Sequence, residues 1–204
     1  MAKNILNFPA IILAAGSASR MGRAKQLLRI DGQSLIRHTA QAAIEANCQP
    51  VIVVTGSNSD AINTELANLP IELQFNPAWS SGIGTSIRAG LSAVSKSNPS
   101  APAVLLTLCD QPHLSSKILQ SLIITHIAAN KPMTACEYSG TLGPPCCFSR
   151  AMFDELSKLD DSSGAKRLLM MNPNNVEKIP WPDGAVDLDT PEDWRNFNLN
   201  DVEE

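Results

Sequence analysis

Two runs in the sequence, Val51-Ile52-Val53-Val54 and Ala103-Val104-Leu105-Leu106, are apolar at every position. A strand with one wet face alternates apolar and polar residues, whereas a strand covered on both faces does not. These runs therefore require a sheet with helices on each side. Intervening segments supply the helices: Leu35, Ile36, Ala40, Ala43 and Ile44 share a face over 33–46, and Ile87, Leu91 and Val94 share one over 84–95. The same alternation predicts strands over 10–13, 50–55, 71–75, 103–108, 133–136 and 175–179. It predicts further helices over 59–68, 115–129, 150–159, 164–171 and 191–198. The class is α/β, a three-layer α/β/α, Rossmann-like arrangement with a mostly parallel central sheet. A chain of 204 residues suits a single domain over 1–204.

In open sheets of this kind, ligands sit beyond the carboxyl ends of the strands. Three polar segments lie there: 14–25, 76–88 and 109–113. The first reads Leu13-Ala14-Ala15-Gly16-Ser17-Ala18-Ser19-Arg20-Met21-Gly22-Arg23-Ala24-Lys25. Its small residues let backbone N–H groups close on phosphate oxygens. Arg20 and Lys25 can neutralise charge as a phosphorus–oxygen bond breaks. The loop lacks G-x-x-x-x-G-K-S/T and G-x-G-x-x-G, so it is neither a Walker loop nor a dinucleotide fingerprint. The plainer alternative is a tight strand-to-helix turn whose cations are solvated.

Asp110, in Leu108-Cys109-Asp110-Gln111-Pro112, follows an apolar strand and suits Mg²⁺ or Mn²⁺, which take oxygen ligands; the plainer alternative is a cap on the next helix. Asp187 and Asp189 alternate onto one face of an extended segment and could complete a metal site. The following Thr190-Pro191-Glu192-Asp193 reads as a helix start. Gly82 and Gly84 permit close backbone approach, and Ser86 adds a hydroxyl in a first helical turn. Lys166 and Arg167 occupy another first turn, as a phosphate grip or as a solvated face.

Together, S-x-R-M-G-x-x-K, C-D-Q-P and D-L-D-T-P-E-D resemble the nucleotidyltransferases that join an NTP to a phosphorylated acceptor. They are most similar to the molybdenum cofactor cytidylyltransferase branch of the MobA-like NTP transferases, over about residues 10–197. The resemblance implies a nucleotidyltransferase fold with an NTP-binding part over 8–113 and an acceptor-binding part over 114–198. It implies Arg20 and Lys25 as catalytic groups. It implies Leu13, Ala14, Ala15, Gly16, Gly22, Gly82 and Ser86 as the nucleotide site, the glycine and serine against the base. Asp110, Asp187 and Asp189 become metal ligands. Gly143, Pro145 and Lys166 become acceptor ligands, in a Gly140–Phe148 segment where Pro144 replaces a commonly polar residue. The implied reaction joins CTP, favoured over GTP by Leu-Ala-Ala-Gly, to molybdenum-bearing molybdopterin with release of pyrophosphate; a molybdoenzyme would receive the product. A sugar-phosphate nucleotidyltransferase and a non-catalytic nucleotide-binding or cofactor-delivery module are the alternatives.

A net charge of −4 without a Lys/Arg block disfavours nucleic acid as a partner. No apolar stretch reaches membrane-spanning length, and the first residues do not read as a signal peptide, so a cytoplasmic location is expected. The five cysteines form no C-x-x-C pair and fit a reduced core better than a metal or redox site.

Overall fold

A computed structural model describes residues 8–17, 21, 22 and 24–200, with the side chains of 198–200 excepted. Arg20 lies outside the described residues. The elements run β1 (Phe8–Leu13), β2 (Arg29–Ile30), β3 (Gln33–Ser34), α1 (Leu35–Glu45), β4 (Cys48–Thr55), α2 (Ser59–Glu65), β5 (Glu72–Phe75), α3 (Ile83–Ser97) and β6 (Ala103–Leu108). There follow α4 (Ser116–Ala128), β7 (Met133–Tyr138), β8 (Thr141–Ser149), α5 (Phe153–Ser157), α6 (Lys166–Met171), β9 (Val176–Pro180) and α7 (Pro191–Asn200).

Seven strands form one sheet in the order β5-β4-β1-β6-β8-β7-β9. β5, β4, β1 and β6 are mutually parallel, β7 and β9 are parallel, and β8 alone runs against its neighbours. Successive residues of each strand point to opposite faces, which divides the core in two. Ile12, Val53 and Leu105 pack with Ile36, Ala40, Leu119 and Leu122 of α1 and α4. Ile11, Ile52, Val54 and Leu106 pack with Ile87, Leu91, Leu156 and Leu169 of α3, α5 and α6. This is the expected three-layer α/β/α architecture. Each fully buried aliphatic side chain contributes roughly 1.5–3 kcal/mol of transfer free energy.

Local chemistry accounts for the helix starts. Ser34 accepts a hydrogen bond from the Arg37 N–H at 3.3 Å to cap α1, so the helix begins two residues later than its apolar pattern suggests. At α7, Thr190 Oγ1 accepts from Asp193 N–H (3.2 Å) while the Asp193 carboxylate accepts from Thr190 N–H (2.8 Å), a reciprocal cap.

The main departure from the sequence pattern is β8. Most of the Gly140–Phe148 segment, expected only as an acceptor lining, belongs to a nine-residue strand, Thr141–Ser149, in the interior of the sheet. Prolines fit there because pairing with β6 covers residues 146–149, while the β7 pairing shifts register between Ala135 and Cys136 and passes over Pro144 and Pro145. The interruption leaves room beside the end of β6.

Candidate active site

β1 and β6 are adjacent and parallel, with Leu13 opposite Leu108, so the loops that follow them leave the sheet together. A cleft of about 420 Å³ opens at that edge. The first loop contributes Ala15, Gly16, Ser17 and Lys25; the loop after β6 contributes Asp110; the chain before α7 contributes Asp189; and residues 79–86 form an uncharged wall.

Lys25 joins the two acidic segments. Its ammonium donates to Asp110 Oδ2 at 2.6 Å and to Asp189 Oδ1 at 2.7 Å, across 85 and 164 residues of sequence. Burial alone would lower the Lys25 pKa, but Asp110 and Asp189 outweigh it and hold the ammonium above its ordinary range. The other carboxylate oxygen of Asp110, Oδ1, is buried and has no hydrogen-bond partner among the described residues.

The first loop is stapled from beneath. Gln26, 1% exposed, donates its amide to the carbonyls of Ala14 (3.0 Å) and Gly16 (2.7 Å). Ser57 N–H reaches the Ala15 carbonyl and Ser57 Oγ–H the Gly16 carbonyl. With its carbonyls engaged on that side, Gly16 stays on the open surface of the cleft. Ala14 does not join it: its N–H bonds the Val54 carbonyl at 2.9 Å as an extension of the sheet, so it offers a ligand no donor. Gly22 adopts φ of 70° and is absent from the cleft lining.

Gly82 and Ser86 both line the cleft. The glycines of this wall have a second reason to be glycine. A Cβ on Gly82 or Gly84 would collide with the Asp161 or Asp160 carbonyl, and Gly84 N–H donates to the Asp161 carbonyl at 2.8 Å. The wall is thus tied to the loop before α6. Behind it, buried Asn76 donates to Thr85 Oγ1 (2.8 Å) and Ser86 Oγ (3.0 Å).

A second pocket of about 230 Å³ adjoins the cleft and shares Leu13, Ile83 and Leu108 with it. It occupies the room left by the interrupted β8 and is lined by Leu106, Tyr138, Pro144, Cys146, Lys166 and Asp187. Of the expected acceptor residues, Lys166 lines it. Gly143 and Pro145 are buried in β8 and do not; Gly143 lies against the Tyr138 ring, and Pro144 and Tyr138 take the lining positions. Buried Gln111 ties the pocket to Asp110, its neighbour in the chain, by donating to the Pro144 carbonyl (3.2 Å) and the Gly184 carbonyl (3.1 Å). Asn76, Gln26, Gln111 and Tyr138 escape the motif reading, which weighs charged and small residues; N-P before the glycine wall and C-D-Q-P are the only signals for two of them.

The three acids divide. Asp110 and Asp189 face the cleft; Asp187 lines the second pocket. Partial loss of water, with the like charges of Asp110 and Asp189, pushes the Asp187 carboxyl up to about 6. Among the described residues no three His, Cys, Asp or Glu side chains form a metal cage. The donor set still fits a hard divalent cation, because Mg²⁺ and Mn²⁺ are commonly held by one or two carboxylates plus substrate phosphates. Asp110 Oδ1, buried and unpartnered, is an oxygen of the right kind, and the Lys25 ammonium shows that this pair of carboxylates holds a cation.

The model for the MobA-like NTP transferase domain matches residues 10–176. The chain belongs to this family. It is a nucleotidyltransferase. Similar curated proteins include nicotine blue oxidoreductase of Paenarthrobacter nicotinovorans, 29% identical over 89% of this chain and 92% of that one. Another is the molybdenum cofactor cytidylyltransferase of Escherichia coli K12, 26% identical over 90% and 92%. A Mycobacterium tuberculosis H37Rv protein solved in complex with manganese superposes with a TM-score of 0.78 at 26% identity, over 93% of this chain and 97% of that one. Among the described residues no helix is long and apolar enough to cross a membrane.

Proposed function

We propose that this nucleotidyltransferase transfers the cytidylyl group of CTP to the phosphate of molybdenum-bearing molybdopterin, releasing pyrophosphate, in a single cytoplasmic domain. Residues 8–113 would carry the nucleotide and 114–198 the acceptor. One observation carries the reading: Lys25, Asp110 and Asp189 converge in a cleft that adjoins a largely apolar pocket lined also by Lys166 and Asp187.

The chemistry asked of the protein is positioning and charge neutralisation. Gly16 and Ser17 approach the triphosphate through the backbone. Lys25, released from its carboxylate partners, would neutralise the phosphates, and Asp110 and Asp189 would hold the divalent cation. Mg²⁺ or Mn²⁺ supplies charge neutralisation at the triphosphate when bound. Arg20 is assigned on the loop sequence alone. In the second pocket, Leu106, Pro144 and the Tyr138 ring suit a flat heterocycle better than a sugar rich in hydroxyls, and Lys166 suits its phosphate. A molybdoenzyme is the expected recipient.

The test is a pyrophosphate-release screen of ATP, CTP, GTP and UTP, each with purified molybdopterin cofactor, with candidate sugar phosphates, and with no acceptor. Release with CTP and the pterin alone supports the reading. Release with GTP overturns the base assignment, and release with a sugar phosphate overturns the acceptor. Nucleotide binding without release under any condition leaves a delivery module or a redox activity of the kind named for the Paenarthrobacter relative.

A further inference from the structure

The cleft and the pocket beside it treat charge differently. In the cleft, Lys25 closes on Asp110 and Asp189. In the pocket, the charged lining residues are Lys166 and Asp187, and among the described residues neither has a hydrogen bond or a salt bridge, to the other or elsewhere. Opposite charges that share a pocket without pairing are free to meet a ligand that carries both complementary groups. Tyr138 supplies no competing donor: its hydroxyl donates to the Pro144 carbonyl at 3.0 Å and accepts from the Gln111 amide at 3.4 Å. Gly143 makes room for that hydroxyl, because a Cβ there would collide with it.

The place of Asp187 is set by its neighbour. Leu188 is fully buried in a cluster with Met21, Leu28, Leu35 and Phe197, and its N–H donates to the Asp110 carbonyl at 3.0 Å. Pinned at that point, the segment delivers Asp189 to Lys25 in the cleft and Asp187 to the second pocket. Two acids one residue apart are thereby divided between two adjoining cavities.

We propose that Asp187 is the specificity-determining residue of the acceptor pocket: its carboxylate takes adjacent N–H donors on the edge of the acceptor's heterocycle, while Lys166 takes the acceptor's phosphate. The inference rests on the acceptor reading above and deepens it. An ionised carboxylate only accepts, through two oxygens in one plane. The group that matches both oxygens is a pair of parallel N–H bonds, as a guanidinium offers and as the ring N–H and exocyclic amine of a 2-amino-4-oxopyrimidine ring also offer. A 2-oxo ring sets an acceptor against the carboxylate instead, so the pocket selects the amino form. This gives Asp187 a task separate from that of Asp110 and Asp189, to which the functional reading assigns the divalent cation.

The probes are pterin-6-carboxylate and lumazine-6-carboxylate, which differ in carrying a 2-amino or a 2-oxo group. Their binding is followed by fluorescence in the presence of the α,β-methylene analogue of CTP, which fills the cleft and cannot transfer its nucleotidyl group. The wild type is expected to prefer the pterin by about 10- to 100-fold, the worth of a hydrogen bond to a charged group. Asp187→Asn is expected to abolish that preference, chiefly by weakening the pterin. Lys166→Ala is expected to weaken both ligands by the same factor and to keep the preference. Mn²⁺ affinity, read by paramagnetic resonance, should fall far less in Asp187→Asn than in Asp110→Asn. Thermal unfolding is recorded for each variant, and Asp187→Ser takes the place of Asp187→Asn if the latter fails to fold. Equal binding of the two pteridines by the wild type, a preference that survives the loss of the carboxylate, or equal Mn²⁺ losses in the two acid variants overturns the inference and leaves the functional reading standing. A wild type that binds the CTP analogue and neither pteridine overturns the acceptor assignment together with it.

Discussion

The cleft and the pocket beside it are built from opposite strand geometries. In the parallel part of the sheet, β1 and β6 end at the same edge, so their following loops meet without any long excursion of the chain. That is where Lys25, Asp110 and the stapled Gly16 loop converge. In the mixed part, β8 runs the other way and presents its middle to the site, at the prolines where its pairing is interrupted. The first arrangement gathers charge, because loops carry polar groups freely. The second gathers a ring and aliphatic walls, because a strand interior is made of them. Charge handling on one side and shape recognition on the other is the division that the variants below test.

The largest effect is expected from Lys25→Ala. It removes the ammonium that bridges Asp110 and Asp189, so pyrophosphate release should fall by ~10²–10³. Lys166→Ala should instead raise the KM for the acceptor and leave the KM for the NTP unchanged. Equal losses in kcat for the two variants, measured under saturating nucleotide, would erase the division.

Gln111→Leu comes next. This side chain links the Asp110 loop to Pro144 and Gly184; in the variant the buried Gly184 carbonyl loses the Gln111 donor, while the Tyr138 hydroxyl still donates to the Pro144 carbonyl at 3.0 Å. A destabilisation of about 1–3 kcal/mol is expected in urea unfolding, together with a larger rise in the KM for the acceptor than for the NTP. A loss confined to nucleotide binding would place Gln111 in the wrong half.

Lys25 also provides a smaller test without catalysis. It occupies the carboxylate pair that a divalent cation would use. Lys25→Met should bind Mn²⁺, followed by paramagnetic resonance in the absence of nucleotide, on the order of 10-fold more tightly than the wild type, since a competing charge is gone. Unchanged Mn²⁺ affinity would mean that the ion uses other oxygens.

The two halves also differ in how much of them can be read from sequence. β4 and β6 announce themselves as unbroken apolar runs, and Asp110 follows one directly, so both the strands and the acid are visible to pattern alone. β8 is hidden because Gly143, Pro144 and Pro145 carry turn chemistry, and only the register shift on β7, a tertiary feature, makes a strand of them. Gly82 and Gly84 are legible as glycines but not for their reason, which is the approach of the 160–161 carbonyls from a segment almost 80 residues away. Lys25 is legible as a cation beside phosphates. Its ion pairs with Asp110 and Asp189 are not, because nothing local in the sequence specifies contacts over such separations.

The smallest effect concerns the seam between the halves. His126 of α4 is buried, its Nδ1 2.9 Å from Thr134 Oγ1 of β7, and its ring meets Phe8 of β1 edge-on at 6.0 Å. Burial lowers its pKa below the ordinary 6.5. The unfolded chain then binds a proton that the folded chain resists, so stability is full above about pH 6.5 and declines as the pH falls through that value toward the lowered native pKa. His126→Gln keeps a hydrogen-bonding group for Thr134 and removes the titration. Its melting temperature should be lower than that of the wild type at pH 7.5, because the ring contact with Phe8 is lost, and the gap should narrow toward pH 5.5. Parallel melting curves for the two proteins over that interval would show that the seam is insensitive to protonation and that His126 holds the halves together by packing alone.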